Sequence, residues 1–258
     1  MITSTANPQI KNLIQLQKKN RLRQEQGIFI IEGIKMYREA PTDQVIKTYV
    51  SESFYKKHQK EDIWKGESLE IVTDRVFEAA SDTKTPQGVL SLVKRFEYDL
   101  DDIIHGSTPL IMVLENIQDP GNLGTIVRTG EGAGITGVIM SNGTVDIYNP
   151  KTVQATMGGI ARVRLHYTPL PEFIRSLKDI PVYGTFLDGE NMYGQPLSKN
   201  GLIVMGNEGN GIGKEVEALI NRKLYIPNYP ASRETSESLN VAIATAVVCA
   251  EFRRQAAL

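Results

Sequence analysis

The sequence predicts an α/β protein whose larger part is a mostly parallel sheet covered by helices on both faces, preceded by a smaller α/β unit. Two observations carry this. From Leu110 onward, short apolar runs rich in β-branched residues alternate with helix-like stretches, the rhythm of a parallel sheet. Three polar, turn-rich segments, Glu115–Gly124, Gly206–Gly213 and Pro227–Asn240, each follow one of those runs. Loops leaving the carboxyl ends of parallel strands share one edge, where ligands bind.

In chain order, Ile10, Leu13, Ile14, Leu16 and Leu22 give residues 9–26 a helical stripe, which Gly27 stops. Ile28–Ile31 reads as a strand and Ile34–Ala40 as a helix ended by Pro41. Strands are predicted at Val45–Val50, Leu69–Val72 and Gly88–Val93, with short helices at Ser53–Lys60 and Thr73–Ala80. Residues 1–95 thus form a small α/β domain. Residues 96–108 hold four acids and no lysine or arginine, and read as a linker. In 109–258, strands are predicted at Leu110–Leu114, Gly137–Met140, Val163–Tyr167, Val182–Phe186, Leu202–Met205 and Lys223–Ile226. Helices are predicted at Leu123–Gly132, Pro150–Met157, Pro171–Leu177, Lys214–Asn221 and Leu239–Gln255. The last is apolar nearly all round through Ala250, so it is expected to be buried, against the sheet or a second subunit.

Composition excludes several classes. A single cysteine, Cys249, leaves no internal disulfide, and with three scattered histidines it makes a structural zinc site unexpected. The start has no basic segment followed by an apolar one, and the longest apolar run, Val241–Ala250, is too short to span a bilayer. A cytoplasmic protein without metal or membrane is expected. Net charge is −1, but residues 1–38 carry seven basic groups against Glu25 and Glu32. Lys11, Lys18, Lys19, Arg21 and Arg23 make this start either a solvated face or a phosphate-binding one.

The motifs narrow the chemistry. Gln118–Asn122 is dense in turn formers, and Asn122 or a neighbour can cap the following helix. Arg128 falls about one and a half turns into that helix, where a guanidinium suits a phosphate. Gly206–Gly213 contains four glycines, yet it is no phosphate loop: Glu208 stands where the first glycine belongs and Glu215 replaces the hydroxyl. Gly130, Gly132 and Gly134 lack dinucleotide spacing. Ser238 can cap the last helix and Asn240 can present an amide. No nucleophile–histidine pair or paired carboxylates accompany these segments.

Together the three segments resemble the SpoU (TrmH) family of RNA ribose 2′-O-methyltransferases, within the SPOUT superfamily. Asn116, Asn122, Gly124 and Arg128 match its first signature, and Gly206–Gly209 its Gly-Asn-Glu-Gly loop. Ile226, Pro227, Ser238, Leu239, Asn240 and Val241 match the third. Phe29–Gly33 and Thr85–Gly88 resemble the family's small substrate-binding domain. The segment Asn149–Gly159 departs from the family pattern, with Gln154 for a basic residue and Thr156 for a serine. The resemblance implies a deep trefoil knot in the C-terminal domain and a homodimer. It also implies S-adenosylmethionine as cofactor, held by Thr185, Gly206, Asn207, Gly209, Ile226, Ser238 and Leu239. Arg128, Asn122, Glu208, Asn240 and Asn116 would form the catalytic set, acting on RNA, most of all ribosomal RNA. The N-terminal basic residues and Arg128 would grip that RNA. The alternatives are a catalytically silent RNA-binding relative and an enzyme methylating a base.

Overall fold

The computed structural model describes residues 1–65, 68–104, 109–230 and 239–257. The chain divides into two units, one of Met1–Phe96 with Asp146–Ala161, the other of Glu97–Val145 with Arg162–Leu258.

The first unit runs α1 (Pro8–Lys18), α2 (Asn20–Gln26), β1 (Ile28–Glu32), α3 (Ile34–Glu39), β2 (Val45–Ser51), α4 (Glu52–His58), β3 (Leu69–Val72), α5 (Asp74–Ala80) and β4 (Val89–Lys94). Its sheet has the order β1-β4-β2-β3, with β4 antiparallel to both neighbours and β2 parallel to β3. Ile10, Leu13 and Leu16 of α1 pack with Ile30, Tyr49, Phe77 and Leu90 in one core. Where the apolar stripe predicts a single helix over 9–26, Lys19 is extended, at φ −116° and ψ 106°. The break frees carbonyls of α1, and Arg23 answers two of them: its Nη1 donates to Leu16 O at 2.6 Å and Gln17 O at 3.3 Å. Its Nη2 and Nε donate to Asp146 Oδ2 at 2.6 and 3.2 Å. Arg23 is only 3% exposed. This corrects its expected place among the RNA-binding cations, because the guanidinium is spent on the elbow and on a buried ion pair.

The second unit begins with α6 (Leu100–Ile104), β5 (Leu110–Leu114), α7 (Pro120–Gly132) and β6 (Gly137–Met140). The next helix, α8 (Pro150–Thr156), belongs to the first unit and packs beside β1. There Tyr148 stacks 4.8 Å from Phe29 and donates its hydroxyl to Phe96 O at 2.7 Å. The second unit then resumes with β7 (Arg164–Tyr167), α9 (Leu170–Ser176), β8 (Val182–Asn191), β9 (Gly201–Met205), α10 (Lys214–Glu217), β10 (Arg222–Tyr225) and α11 (Val241–Ala256). All six strands are parallel, in the order β10-β8-β9-β5-β6-β7. The central strands Leu110–Leu114 and Gly201–Met205 are buried at every residue, as expected for strands covered on both faces.

Two stretches differ from the sequence reading. In the segment read as a linker, residues 97–104 are docked: Ile103 is fully buried in the sheet core, and His166 Nδ1 lies 2.7 Å from Tyr98 O. Gly137 permits this, since a Cβ there would lie 2.4 Å from Ile103 Cγ2. Acidic composition hid an apolar anchor. Residues 105–108 of that segment lie outside the described residues. In β8, expected to end at Phe186, the pairing with β10 jumps from Gly184↔Lys223 to Glu190↔Leu224. Thr185–Gly189 therefore leave the ladder as an excursion at the carboxyl side of the sheet before pairing resumes.

Candidate active site

The site grows from the edge where the parallel strands end. Chain order reverses between β5 and β9: β6 and β7 lie on one side of β5, and β9, β8 and β10 on the other. Such a switch point opens a crevice between the loops of the two strands. The loop after β5 supplies Glu115 to Asp119, and the loop after β9 supplies Gly206 to Gly213.

Asp119, not Asn122, caps α7, its Oδ1 accepting from Asn122 N at 2.7 Å. The Asn122 side chain is thereby free to join the motifs. Its Nδ2 donates to Glu208 Oε1 at 2.9 Å, and its Oδ1 accepts from Asn240 Nδ2 at 3.0 Å. The carboxylate can only accept, so it fixes which way the Asn122 amide faces. Asn240 is itself the N-cap of α11, its Oδ1 accepting from Ala242 N at 3.0 Å and Ile243 N at 3.3 Å. Three motifs separated by 86 and 118 residues are thus joined by direct hydrogen bonds. The cap expected from the sequence was Ser238, which lies outside the described residues; Asn240, expected on the first turn, holds the cap position.

The glycine loop is a closed turn. Asn207 and Gly211 exchange both backbone hydrogen bonds at 2.9 Å, and a Cβ on Gly206 would lie 2.4 Å from the Gly211 carbonyl carbon. Only glycine fits there. Asn207 Oδ1 accepts from Gly209 N and Asn210 N at 2.9 and 3.0 Å, and its Nδ2 donates to Asn116 O at 2.7 Å. Asn207 therefore acts on the loop itself. Asn116 stands at φ 55°, held there by Ser141, whose hydroxyl accepts from Asn116 N at 2.8 Å and donates to Asn116 Oδ1 at 3.1 Å. Glu115 Oε2 accepts from Gly213 N at 2.8 Å.

Of the other expected cofactor residues, Thr185 is half-buried with its hydroxyl 3.9 Å from Met205 Sδ, beside the root of the glycine loop. Ile226 leaves the sheet just after β10, and Leu239 is exposed. Arg128 lies on the exposed stripe of α7 with Gly121, Thr125 and Gly132. Among the described residues it has no hydrogen-bond or ion-pair partner. It stands about 9 Å along the helix from Asn122, at 1.5 Å per residue, and the hydrogen-bonded chain does not include it. Lys11, Lys18, Lys19 and Arg21 are exposed on the first unit, Arg21 paired with Glu25 at 2.7 Å.

Sequence reasoning missed Ser141 and Gln118. Ser141 follows β6, so the strand-end rule that selected the other loops also reaches it. Gln118 sits inside the first motif but looked like a plain turn residue. Its Nε2 donates to Gly143 O at 2.7 Å and ties the loops after β5 and β6 together.

The chain is similar to known proteins over nearly all of its length. Residues 109–250 match the SpoU rRNA methylase family model, and residues 7–91 match an MRM3-like substrate binding domain. The 23S rRNA (guanosine(2553)-2′-O)-methyltransferase RlmP of Bacillus subtilis (strain 168) is 30% identical, over 98% of both chains. The crystal structure of an AdoMet-bound rRNA methyltransferase from Sinorhizobium meliloti superposes with a TM-score of 0.85 at 28% identity, covering 98% of this chain and 97% of that one. A 23S rRNA guanosine 2′-O-methyltransferase, RlmB, from Neisseria meningitidis is 28% identical over 67% of this chain and 70% of its own. With its three signature loops hydrogen-bonded at one sheet edge, the chain belongs to the SpoU rRNA methylase family.

Proposed function

We propose that the edge of the second unit's sheet is the methyl-transfer site, with Arg128 holding RNA and Asn122, Glu208 and Asn240 setting the geometry. The chain is an S-adenosylmethionine-dependent RNA 2′-O-ribose methyltransferase, and its substrate is ribosomal RNA. The observation that carries this reading is the hydrogen-bonded chain Glu208–Asn122–Asn240.

The residues present fit the cofactor. Glu208 disfavours a phosphate-bearing ligand and complements a sulfonium cation. Ile226 and Leu239 offer apolar surface for an adenine ring, and Thr185 a hydroxyl beside it. Gly206 and Gly209 allow close backbone approach. Thr185, Gly206, Gly209, Ile226 and Leu239, with Ser238, would hold S-adenosylmethionine, which when bound supplies an electrophilic methyl carbon on a good leaving group.

The protein's part is alignment and proton handling. Bringing the 2′-oxygen in line with the methyl replaces a bimolecular encounter with a positioned one. The guanidinium of Arg128 stays protonated, so it serves as a clamp and not as a base. It grips the phosphate next to the acceptor ribose and steadies negative charge as the 2′-hydroxyl gives its proton to a solvent water. Asn116 and Asn122 orient the loop that presents Arg128's helix. Lys11, Lys18, Lys19 and Arg21 are the first unit's phosphate contacts.

Two broader features complete the proposal. After β10, at the edge of the sheet, the chain returns to α11, which packs on α7, the helix between β5 and β6. This course supports a trefoil knot. The α11 face bearing Ile243, 54% exposed, with Val247 and Ala250, is apolar and fits a second copy, making a cytoplasmic homodimer. The test of the reaction is transfer of labelled methyl from S-adenosylmethionine to ribosomal RNA stripped of modification. Label recovered in 2′-O-methyl nucleosides supports ribose chemistry, and label in bases contradicts it.

A further inference from the structure

A cavity of about 320 Å³ opens at the switch point, lined by Asn116, Gln118, Asn207, Asn210, Gly211 and Gly213. That volume lies within the usual range of small-ligand sites, roughly 300–1,000 Å³. Four side-chain amides line it and no charged residue does. A phosphate, a carboxylate or a sulfonium would find no counter-charge there.

The amides are not all occupied in holding the loops. Asn207 spends its side chain on Gly209, Asn210 and Asn116. Gln118 uses only its nitrogen, toward Gly143 O and Asn116 O. Among the described residues, Gln118 Oε1, Asn116 Nδ2 and the whole Asn210 amide lack partners. Two donors and two acceptors therefore remain around one small space. Amide side chains with adjacent donor and acceptor atoms pair with the edges of nucleobases.

The cavity shares the β9 loop with the residues that would hold the cofactor but lies away from Thr185 and Ile226. It lies between the loops of β5 and β9, whereas Thr185 and Ile226 leave β8 and β10 on the other flank of β9. Its wall residue Asn207 precedes Glu208, whose carboxylate holds Asn122. A base seated in the cavity would rest against the loop that carries Glu208.

We propose that this amide-lined cavity is a base-reading subsite for the RNA nucleotide presented for methylation. The inference rests on the methyltransferase reading above. Asn210→Ala is the cleanest test, because its side chain makes no internal hydrogen bond; Asn210→Asp, which trades the donor for an acceptor at the same size, is the second. Wild type and both variants are assayed on four transcripts of the mapped target region that differ only in the acceptor base. Calorimetry with S-adenosylmethionine alone runs alongside. The expected result is a KM for RNA raised roughly five- to tenfold, the loss of about one hydrogen bond. Discrimination among the four transcripts should flatten, with kcat and cofactor affinity unchanged. An unchanged KM and unchanged discrimination overturn the subsite. So does weakened cofactor binding in Asn210→Ala, which would place the adenine of S-adenosylmethionine there instead. A wild-type protein that methylates no RNA overturns the enzyme reading itself, and the subsite with it.

Discussion

At the residue scale, the Asn122 amide donates to a carboxylate at one end and accepts from an amide at the other. That the segments carrying Asn122, Glu208 and Asn240 meet was legible in the sequence, because each follows a strand and such segments share an edge; the choice of these three residues came from the family resemblance. Ser141 and Gln118 were not legible, because their work is to hold backbone of a neighbouring loop, and any polar turn residue could be read that way. Arg23 was misread for a related reason. A local count of charges cannot show that its partner Asp146 lies 123 residues on. Arg128 is the opposite case, an exposed cation with no partner among the described residues. Arg128→Ala is therefore expected to cost little folding stability. It should lower the methylation rate on ribosomal RNA by about a hundredfold or more, the scale of losing a positioned charge-stabilising group. Calorimetry should show S-adenosylmethionine affinity within about twofold of wild type, since a group that binds only RNA adds nothing to cofactor binding.

At the element scale, α11 shows both what pattern predicts and what it hides. Its apolar run predicts burial, and Val248, Cys249 and Phe252 are buried. Burial pushes the Cys249 thiol up to about 11, so it should resist thiol-modifying reagents at neutral pH until the protein unfolds. The same run does not reveal that Glu251 is only 5% exposed. Arg254 Nη2 and Nε donate to its two oxygens at 2.6 and 2.7 Å, and Gln255 Nε2 adds a bond at 2.7 Å. The hydrogen bonds from Arg254 above all hold the Glu251 carboxyl down at about 2, below the 4.5 of a free glutamate. The unfolded chain binds the proton more tightly than the folded one. The stabilisation is thus complete above about pH 4.5 and is lost as pH falls from there through about 2. Arg254 is more than half exposed, which screens the pair and leaves a contribution of about 1 kcal/mol. Glu251→Gln should lower the melting temperature at pH 7, and the gap from wild type should close on acidification through that window. A gap independent of pH would assign the loss to packing. The docked helix α6 teaches the same lesson, because the acids of its segment masked Ile103, which anchors it, and Leu100 and Ile104, which pack on the same core.

At the scale of the whole molecule, the parallel sheet was legible from the alternation of apolar runs, but the place of Asp146–Ala161 in the smaller unit was not, since Asp146 pairs with Arg23 across 123 residues of sequence. The strand order was not, because pairing of β9 with β5 rather than β6 depends on contacts between residues some 90 apart in sequence. That order creates the switch point, and with it the shared edge. The exposed Ile243 face of α11 belongs to this scale as well. Sedimentation of Ile243→Glu should show the proposed homodimer dissociating at least about tenfold more readily than wild type, the cost of burying a charge in an apolar contact. A variant that sediments as wild type does would remove that face from the interface. The activity proposed for these meeting loops is methylation of a ribose of ribosomal RNA. It is tested most directly by mapping 2′-O-methyl groups across the ribosomal RNA of cells lacking this protein, with and without the gene restored. One 2′-O-methyl site is expected to vanish, to return with the wild-type chain and to stay absent with Arg128→Ala. Unchanged ribose methylation in the deleted strain, or full restoration by Arg128→Ala, would contradict it.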